Sequence, residues 1–333
     1  MVRQLVFGGV GRCFVESIDE AALGPGQVRI RPLAAGICGS DVHGFSGEND
    51  RRSPGQVMGH EFVGEVVESA DDGAAWKGRI VTVNPVTGCG ECQLCLEGGP
   101  NLCQKRQIIG CAIQLPGAFA EEVIVPAENV VPFEGSVPSE LGALVEPLSV
   151  GTHAAGVSGL SSTSSVAVLG GGPVGLGAAL AAHRRAAEDL VVSEPDGHRR
   201  EIVAALGLVA VPPDDDALEP GGFDVVIDCV GAASTVGQAC QLVKPAGTVV
   251  VPGLGQATVP LPMAAVVMGE RIVRGSAVYR PDEFRETADW VASGEIDLEP
   301  LIEDRIGLDA LPAAFTAYAD GSRTAFKTLY CPA

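Results

Sequence analysis

Basic residues are scarce in this sequence, and that scarcity argues against two classes of partner. Lys and Arg number 22 against 42 Asp and Glu, which gives a formal net charge of −20. Nucleic acid requires a basic face that meets phosphates, and an anionic membrane surface attracts the same residues. We therefore expect neither partner, and we interpret the acidic excess as a well-solvated surface.

The sequence also lacks a recognisable leader and an uninterrupted apolar run. Residues 1–14 contain no basic region followed by an apolar stretch and a small-residue cleavage site, so no signal peptide is expected. The most apolar long stretch, Val166–Ala182, is interrupted by glycines and a proline, which argues against a membrane span. The expected location is the cytoplasm.

What is present indicates a globular protein with two domains and a metal site. A chain of 333 residues exceeds the size at which one hydrophobic core usually stops growing, and 46% of its residues are hydrophobic. Four of its ten cysteines lie within fifteen residues, between positions 89 and 103. In a soluble intracellular chain, such a cluster favours metal binding over disulfide bonds.

The first part of the chain predicts short β-strands separated by Gly and Pro. These strands are predicted at Val28–Pro32, Glu61–Glu68, Arg79–Val83 and Ala120–Val125. From about residue 146, apolar strands alternate with helices, which predicts βαβ units and a parallel sheet with helices on both faces. The alternating elements are predicted at Val166–Leu169, Pro173–Ala187, Leu190–Ser193, His198–Leu206, Asp224–Asp228, Ser234–Val243 and Thr248–Val251.

The last part of the chain breaks this alternation. From about Tyr279 we predict helices at Pro281–Ser293 and Leu311–Ala319, and a final strand at Ala325–Tyr330. The apolar segment Val259–Met268 follows the last strand of the parallel sheet. We expect it to pair edge to edge with its copy, which would make a homodimer.

Four cysteines form the first candidate site. Their spacing is C-x2-C-x2-C-x7-C, and the residues are Cys89, Cys92, Cys95 and Cys103. Four thiolates on a Gly-rich loop can fill a zinc tetrahedron and leave no open position, so such a site is structural. An iron–sulfur cluster favours a shorter last gap, and disulfides or free thiols are the remaining alternative.

A second candidate metal site combines Cys38 with His60. Catalytic zinc uses three protein ligands and keeps a position open for water or substrate. Glu61 and Glu146 are the candidates for the third ligand. A ligating histidine usually donates its other ring N–H to a carboxylate, and Asp41 is available for that role. Taken alone, a buried Cys and a hydrogen-bonded His are commoner than ligands.

A glycine turn forms the third candidate site. The strand Val166–Leu169 runs into Gly170, Gly172 and Gly175 in the pattern G-x-G-x-x-G, with Pro173 and Val174 between them, and a helix begins there. Such a turn lets the backbone approach a pyrophosphate, which the helix N-terminus then binds. Glu194 ends the next strand, where an acid binds the ribose hydroxyls and repels a 2′-phosphate.

The acid at Glu194 favours NAD over NADP as the cofactor. Arg199 and Arg200 lie just downstream and would suit a 2′-phosphate. The alternative for both is an exposed position on the following helix.

Together these motifs resemble the zinc-containing medium-chain alcohol and polyol dehydrogenases, in particular the sorbitol and butanediol branch. The resemblance covers essentially the whole chain. It rests on CGSDVH at 38–43, GHEFVG at 59–64, the four-cysteine segment, EPLSVGTHA at 146–154 and the glycine turn. It implies an α/β protein in which a GroES-like β-rich catalytic domain accompanies a doubly wound parallel-sheet (Rossmann) coenzyme domain. The boundaries implied are 1–147 with 278–333 for the catalytic domain, 148–277 for the coenzyme domain and 84–111 for the structural zinc lobe.

The resemblance also implies residue roles. Cys38 and His60 would bind the catalytic zinc, with Glu61 or Glu146 as third ligand. Ser40 would take the substrate proton and His43 would pass it to solvent; the alternatives are a turn-capping hydroxyl and a surface imidazole. Lys327 would face the cofactor pyrophosphate, or else be a solvated lysine.

The function implied is hydride transfer between NAD and a secondary alcohol, diol, polyol or cyclitol, with one catalytic and one structural zinc. An amino-alcohol or threonine-type dehydrogenase is the alternative enzyme. A non-catalytic structural or redox-sensing member of the fold is a third interpretation, but it predicts loss of the zinc ligands. The resemblance further implies a homodimer or homotetramer.

Overall fold

The computed structural model describes residues 1–70, 76–134, 140–187 and 189–332, and it divides into two compact units. Unit 1 comprises Met1–Glu146 and Phe284–Ala333, and unit 2 comprises Pro147–Glu283. The first boundary lies one residue before the predicted one, and the second lies six residues after it. The stretch 70–77, to which the sequence assigns no element, falls largely outside the described residues.

Unit 1 is rich in β-strands. Its elements in chain order are β1 (Val2–Gly9), β2 (Arg12–Ile18), β3 (Gln27–Gly36), α1 (Gly39–Ser46), β4 (Gln56–Val57), β5 (Glu61–Ser69), β6 (Ile80–Val83), β7 (Val86–Thr87), α2 (Gln93–Leu96), β8 (Gln107–Ile108), β9 (Val123–Pro126) and β10 (Val130–Pro132). Helix α3 (Val145–Val157) then leads into unit 2.

Unit 2 alternates strand and helix. Its elements are β11 (Ser165–Leu169), α4 (Pro173–Arg184), β12 (Asp189–Ser193), α5 (Gly197–Ala205), β13 (Val209–Val211), β14 (Phe223–Asp228), α6 (Ala233–Leu242), β15 (Val243–Val251), α7 (Met263–Met268) and β16 (Ile272–Gly275). The chain returns to unit 1 through α8 (Pro281–Ser293), β17 (Asp304–Ile306), α9 (Leu311–Ala319) and β18 (Thr328–Tyr330).

The main sheet of unit 1 has the order β10-β6-β5-β3-β18-β17, with β9 also paired to β3. Strand β3 is longer than predicted. It continues past Pro32 because a register shift between Pro32 and Ala34 accommodates the proline and lets pairing with β5 resume. One face of the sheet packs a core that includes Ile30, Phe62 and Phe119, all fully buried.

The sheet of unit 2 is parallel throughout, in the order β13-β12-β11-β14-β15-β16. Numbered within the unit, this order is 3-2-1-4-5-6, the arrangement of dinucleotide-binding folds. Its strands carry continuous apolar runs, such as Val166–Leu169, because helices cover both faces. The predicted fold class, a β-rich domain beside a doubly wound parallel sheet, is confirmed.

Two sequence-based expectations about elements are wrong. Within the apolar segment Val259–Met268, residues 263–268 form helix α7, and the strand at the edge of the sheet is β16. The final strand is shorter than predicted and starts at Thr328, so Lys327 precedes it. Among the described residues, no helix combines the length and the apolar character needed to cross a bilayer.

Candidate active site and metal centres

The four cysteines of the predicted structural site lie together in one lobe of unit 1. Their sulfur atoms are all within 4.8 Å of one another, and those of Cys89 and Cys95 are 4.0 Å apart. A Cβ at Gly88 would lie 2.6 Å from Cys95 Sγ, so the loop requires glycine at that position. The donor set fits a closed tetrahedral zinc site.

The backbone of the lobe prepares one of these thiols for a metal. The N–H groups of Glu91 and Cys92 point at Cys89 and lower its pKa to about 6. Cys89 is therefore largely a thiolate at neutral pH, and the thiolate is the form that binds a metal.

A second group of potential ligands lies where strands β3 and β5 pair. Cys38 follows the end of β3, and His60 and Glu61 stand at the start of β5, with Gly36 directly opposite Glu61. One donor atom from each of Cys38, His60 and Glu61 lies within 4.8 Å of the other two. A thiol, an imidazole and a carboxylate are three donors that suit zinc with an open fourth position.

Gly36 is the local reason that Glu61 can lie there. A Cβ on Gly36 would be 2.2 Å from Glu61 Oε2, so any side chain at position 36 would displace the carboxylate. Glu146, the other candidate ligand, lies buried in the first turn of α3. Within the described part of the chain, the group that the fold assembles contains Glu61 and does not contain Glu146.

His60 is enclosed by charged and polarisable groups. Its Nδ1 atom is 3.5 Å from Asp41 Oδ2 and 3.9 Å from Cys111 Sγ. Burial lowers the pKa of His60, but Asp41, Cys111 and Cys38 raise it by more, so the net shift is upward. Asp41 therefore lies close enough to His60 for its carboxylate to orient the imidazole if His60 binds a metal.

Lys327 does not lie on the surface, and its contacts are not those expected from the sequence. Its side chain is 3% exposed, and its Nζ donates to Glu61 Oε2 at 2.7 Å and to the carbonyl of Ile37 at 3.2 Å. Burial lowers the pKa of Lys327, but the charges of Glu61, Cys38 and Glu146 raise it by more. The ammonium thus neutralises the carboxylate at the candidate metal site, and nothing in its contacts points to a pyrophosphate.

Ser40 and His43 both lie on helix α1. Ser40 is beside the donor group of Cys38, His60 and Glu61, and His43 is at the surface. The Ser40 hydroxyl donates to Cys38 Sγ at 3.3 Å. His43 is 55% exposed, and its Nδ1 shares a 2.6 Å hydrogen bond with Glu48 Oε2. Ser40 is thus half-buried beside Cys38, and His43 is at the surface three residues further along the same helix.

The glycine turn has the three geometric properties expected of a dinucleotide site. Gly170 has a φ of +97°, which favours glycine. The space around Gly172 is open, because among the atoms of the described residues only Arg199 Nη1 comes within 4 Å of a Cβ built there, at 3.8 Å. A Cβ on Gly175 would lie 1.8 Å from the Gly170 carbonyl oxygen, so helix α4 can approach β11 only with glycine there. Pro173 begins α4, where its missing N–H is harmless.

Glu194 holds its carboxylate at this turn. It is 4% exposed, and it accepts hydrogen bonds from the N–H of Gly171 at 2.7 Å and of Asp196 at 2.9 Å. Val174, expected to contact the cofactor, lies in the first turn of α4. Arg199 is half-buried on α5 and approaches the turn, so it is not the fully exposed residue of the alternative interpretation.

Sequence reasoning missed two residues: Arg52, which lies next to Asp41, and Cys111, which lies next to His60. Arg52 is in the loop between α1 and β4, with a buried guanidinium whose Nη2 is 2.6 Å from Asp41 Oδ1. Burial lowers the pKa of Arg52, but Asp41, Cys111 and Cys38 together raise it by more, so the net shift is upward and the group stays charged. Neither residue belongs to a motif, and only the folded chain brings Arg52 to Asp41 and Cys111 to His60.

Comparison with known protein families agrees with this geometry. Residues 24–138 match the alcohol dehydrogenase GroES-like domain, and residues 173–293 match the zinc-binding dehydrogenase family. The chain is 32% identical over 332 residues to 2-dehydro-3-deoxy-L-galactonate 5-dehydrogenase of Pseudoalteromonas atlantica, covering 96% of each chain. It is also 32% identical to L-threonine 3-dehydrogenase of Pyrococcus horikoshii, covering 92% of each.

Among solved structures, the chain is similar to a zinc-binding dehydrogenase of Sinorhizobium meliloti bound to NADP. The TM-score is 0.91 and the identity 33%, with 100% of this chain and 99% of the other covered.

Proposed function

Because the chain belongs to the zinc-containing medium-chain alcohol and polyol dehydrogenases, we propose that it transfers a hydride between NAD and a secondary alcohol of a diol, polyol, cyclitol or sugar acid. Unit 1 would bind the catalytic zinc and the substrate, and unit 2 would bind the cofactor. The lobe within 84–111 would hold the structural zinc.

One observation supports this proposal most directly: the donor group of Cys38, His60 and Glu61, in which Cys38 is half-buried and the other two are buried. We propose these three residues as the protein ligands of the catalytic zinc. Three ligands leave a fourth position for substrate, which distinguishes this group from the closed four-cysteine lobe. Glu146 would then act on the site through its charge.

The residues around this group divide the chemistry between them. Bound zinc supplies a Lewis acid that acidifies a substrate hydroxyl, and NAD supplies the hydride acceptor. Ser40, whose oxygen lies beside Cys38 Sγ, would accept the proton that this hydroxyl loses and release its own proton towards His43. His43 passes the proton to solvent, and Lys327 balances the charge of Glu61.

We propose NAD in preference to NADP. The Glu194 carboxylate lies at the N–H of Gly171, where it would accept hydrogen bonds from ribose hydroxyls and repel a 2′-phosphate. The structural relative that binds NADP leaves NADP as the alternative, and Arg199 is the side chain that would favour it.

An amino-alcohol substrate is the second candidate, because the similarity to L-threonine 3-dehydrogenase extends over nearly the whole chain. One experiment compares the two. NADH formation is measured with secondary alcohols, diols, polyols, sugar acids and L-threonine, and zinc per chain is measured on the same sample. Two zincs with turnover of hydroxylated substrates lacking an amino group support the proposal, and turnover of L-threonine alone overturns the substrate class.

A variant then tests the metal chemistry. Cys38→Ser removes the thiolate of the catalytic group and should abolish turnover while the lobe keeps its zinc. Cys240 is buried and belongs to unit 2, whereas both metal groups belong to unit 1. Cys240→Ser therefore serves as the matched control. Full activity of Cys38→Ser would contradict the assignment.

We also propose a cytoplasmic homo-oligomer, a homodimer or a homotetramer built from it. Within the part of the chain that the structure describes, strand β16 ends the sheet of unit 2 and pairs only with β15, and its four residues are exposed. Met263, Val267, Met268, Ile272 and Val273 form an exposed apolar surface around it. An unpaired apolar edge of this kind is typical of strand pairing between copies, and light scattering measures the number of chains.

A further inference from the structure

Arg52 and Asp41 form a buried ion pair directly behind the candidate metal ligand His60. Their side chains are 2% and 0% exposed, and Arg52 Nη2 lies 2.6 Å from Asp41 Oδ1. Taking two charges out of water carries a desolvation cost that the pairing often fails to offset, so such a pair is poorly explained by stability alone.

The second oxygen of Asp41 points at His60. Among the described residues Asp41 Oδ2 has no hydrogen-bond partner, and it lies 3.5 Å from His60 Nδ1. Because Arg52 holds Oδ1, the carboxylate cannot rotate freely, and Oδ2 stays directed at the imidazole. The other ring nitrogen of His60 is then left for a metal.

We propose that Arg52 is a positioning residue for the catalytic metal: it fixes Asp41, and Asp41 fixes His60. The inference rests on the proposed role of His60 as a ligand. Arg52 also approaches Ser40, with Nη2 3.5 Å from Ser40 Oγ, so the same cation borders the hydroxyl proposed to take the substrate proton.

The packing of helix α1 leaves room for this arrangement. A Cβ at Gly44 would lie 2.3 Å from Arg52 Cγ, so the arginine stem crosses the helix at a position where only glycine fits. Arg51, the preceding residue, is exposed and is a matched control of the same charge.

The test measures metal retention rather than turnover. Zinc per chain and the rate of zinc release to a chelator are measured for the wild type, Arg52→Gln, Arg52→Lys and Arg51→Gln. We expect Arg52→Gln to release its second zinc about 10- to 100-fold faster, as for other residues that orient a ligand. Arg52→Lys should recover part of this loss, and Arg51→Gln should match the wild type. The zinc of the cysteine lobe should be retained in all four proteins.

A double-mutant cycle decides whether Arg52 acts through Asp41. Asp41→Asn removes the carboxylate charge. The double variant Asp41→Asn with Arg52→Gln contains neither buried charge, so it provides a measurement even if Arg52→Gln alone does not fold. If Arg52 acts through Asp41, adding Arg52→Gln to Asp41→Asn accelerates release no further. Faster release from the double variant would overturn the proposal.

Two failures are distinguishable. A wild-type protein with zinc only in the cysteine lobe contradicts the proposed function itself. A wild-type protein with two zincs, together with a folded Arg52→Gln variant that releases both at wild-type rates, contradicts only the role of Arg52.

Discussion

Ser40 is a half-buried hydroxyl whose donor contact is the sulfur of a proposed metal ligand. Removing it leaves Cys38, His60 and Glu61 in place, so Ser40→Ala should bind zinc as the wild type does. Its kcat should fall about 10²- to 10⁴-fold, because general acid–base groups contribute factors of that size. Ser40→Thr, which keeps the hydroxyl, is the control. An unchanged kcat in Ser40→Ala would remove the hydroxyl from the proton path.

Glu194 should determine cofactor preference. Replacing it with serine removes two local hydrogen bonds and the negative charge at the turn, while Arg199 remains. We expect kcat/KM for NAD to fall by about 10-fold and kcat/KM for NADP to rise, because the ribose contact and the repulsion are lost together. Glu201→Gln, an exposed carboxylate on α5, should change neither value. A wild-type preference for NADP would contradict the assignment.

At the scale of elements, the packing of α4 on β11 depends on one position. Gly175→Ala places a methyl group 1.8 Å from a backbone oxygen, which neither element can avoid without moving. Overpacking of this kind costs about 1–3 kcal/mol, and the shifted helix N-terminus should also weaken NAD binding. Thermal unfolding and cofactor titration measure the two effects.

Gly237 in α6 is the matched control for Gly175. No atom that the structure describes outside the backbone of α6 and the neighbouring residues lies within 4 Å of a Cβ built at Gly237. Gly237→Ala should therefore stabilise the helix by about 0.5–1 kcal/mol. Equal effects of the two alanine substitutions would show that close packing at Gly175 is unimportant.

A polar cluster joins strands β11, β14 and β15. It lies at their N-terminal ends, whereas the glycine turn follows the C-terminal end of β11. Asp224 accepts hydrogen bonds from the N–H and hydroxyl of Ser165 and from Lys244 Nζ. The Ser165 N–H, more than any other group, holds the pKa of Asp224 below its usual value. Because the pKa of Asp224 is lower in the folded state, its carboxylate stabilises the fold at pH values above the unfolded-state pKa of about 3.9. That stability is lost as the pH falls.

Asp224→Asn should therefore lower Tm at pH 7, and the difference from the wild type should shrink as the pH falls from about 5 towards 3. Thermal unfolding of both proteins across this range measures it. Asp216→Asn, at an exposed position, should show little difference at any pH. A wild-type advantage that grew on acidification would contradict the sign of the shift.

For the whole molecule, β16 should govern assembly. Lysine at Ile272 and Val273 charges an apolar strand edge, and charged edges resist strand pairing. The double variant should dissociate to monomers at concentrations where the wild type is oligomeric, as measured by light scattering. Val209→Lys, at an exposed position on β13 at the other edge of the same sheet, should leave the mass unchanged. An unchanged mass in the β16 variant would place the interface elsewhere.

The sequence by itself determined the features that act over short distances. Four cysteines within fifteen residues can reach one ion however the rest of the chain folds, and a glycine turn between a strand and a helix carries its own geometry. The bounds predicted for α8 and α9 also match those of the structure. These signals were sufficient to indicate the family, the parallel sheet and the four-cysteine site.

Only the tertiary structure decided the contacts between distant parts of the chain. Lys327 and Glu61 are 266 positions apart, and their ion pair exists because β18 adds to the sheet beside β3. The grouping of Glu61 with Cys38, the approach of Arg52 to Asp41 and the identity of the edge strand depend in the same way on strand pairing and register. Local pattern carries no information on these contacts, because packing between elements determines which side chains share a buried space.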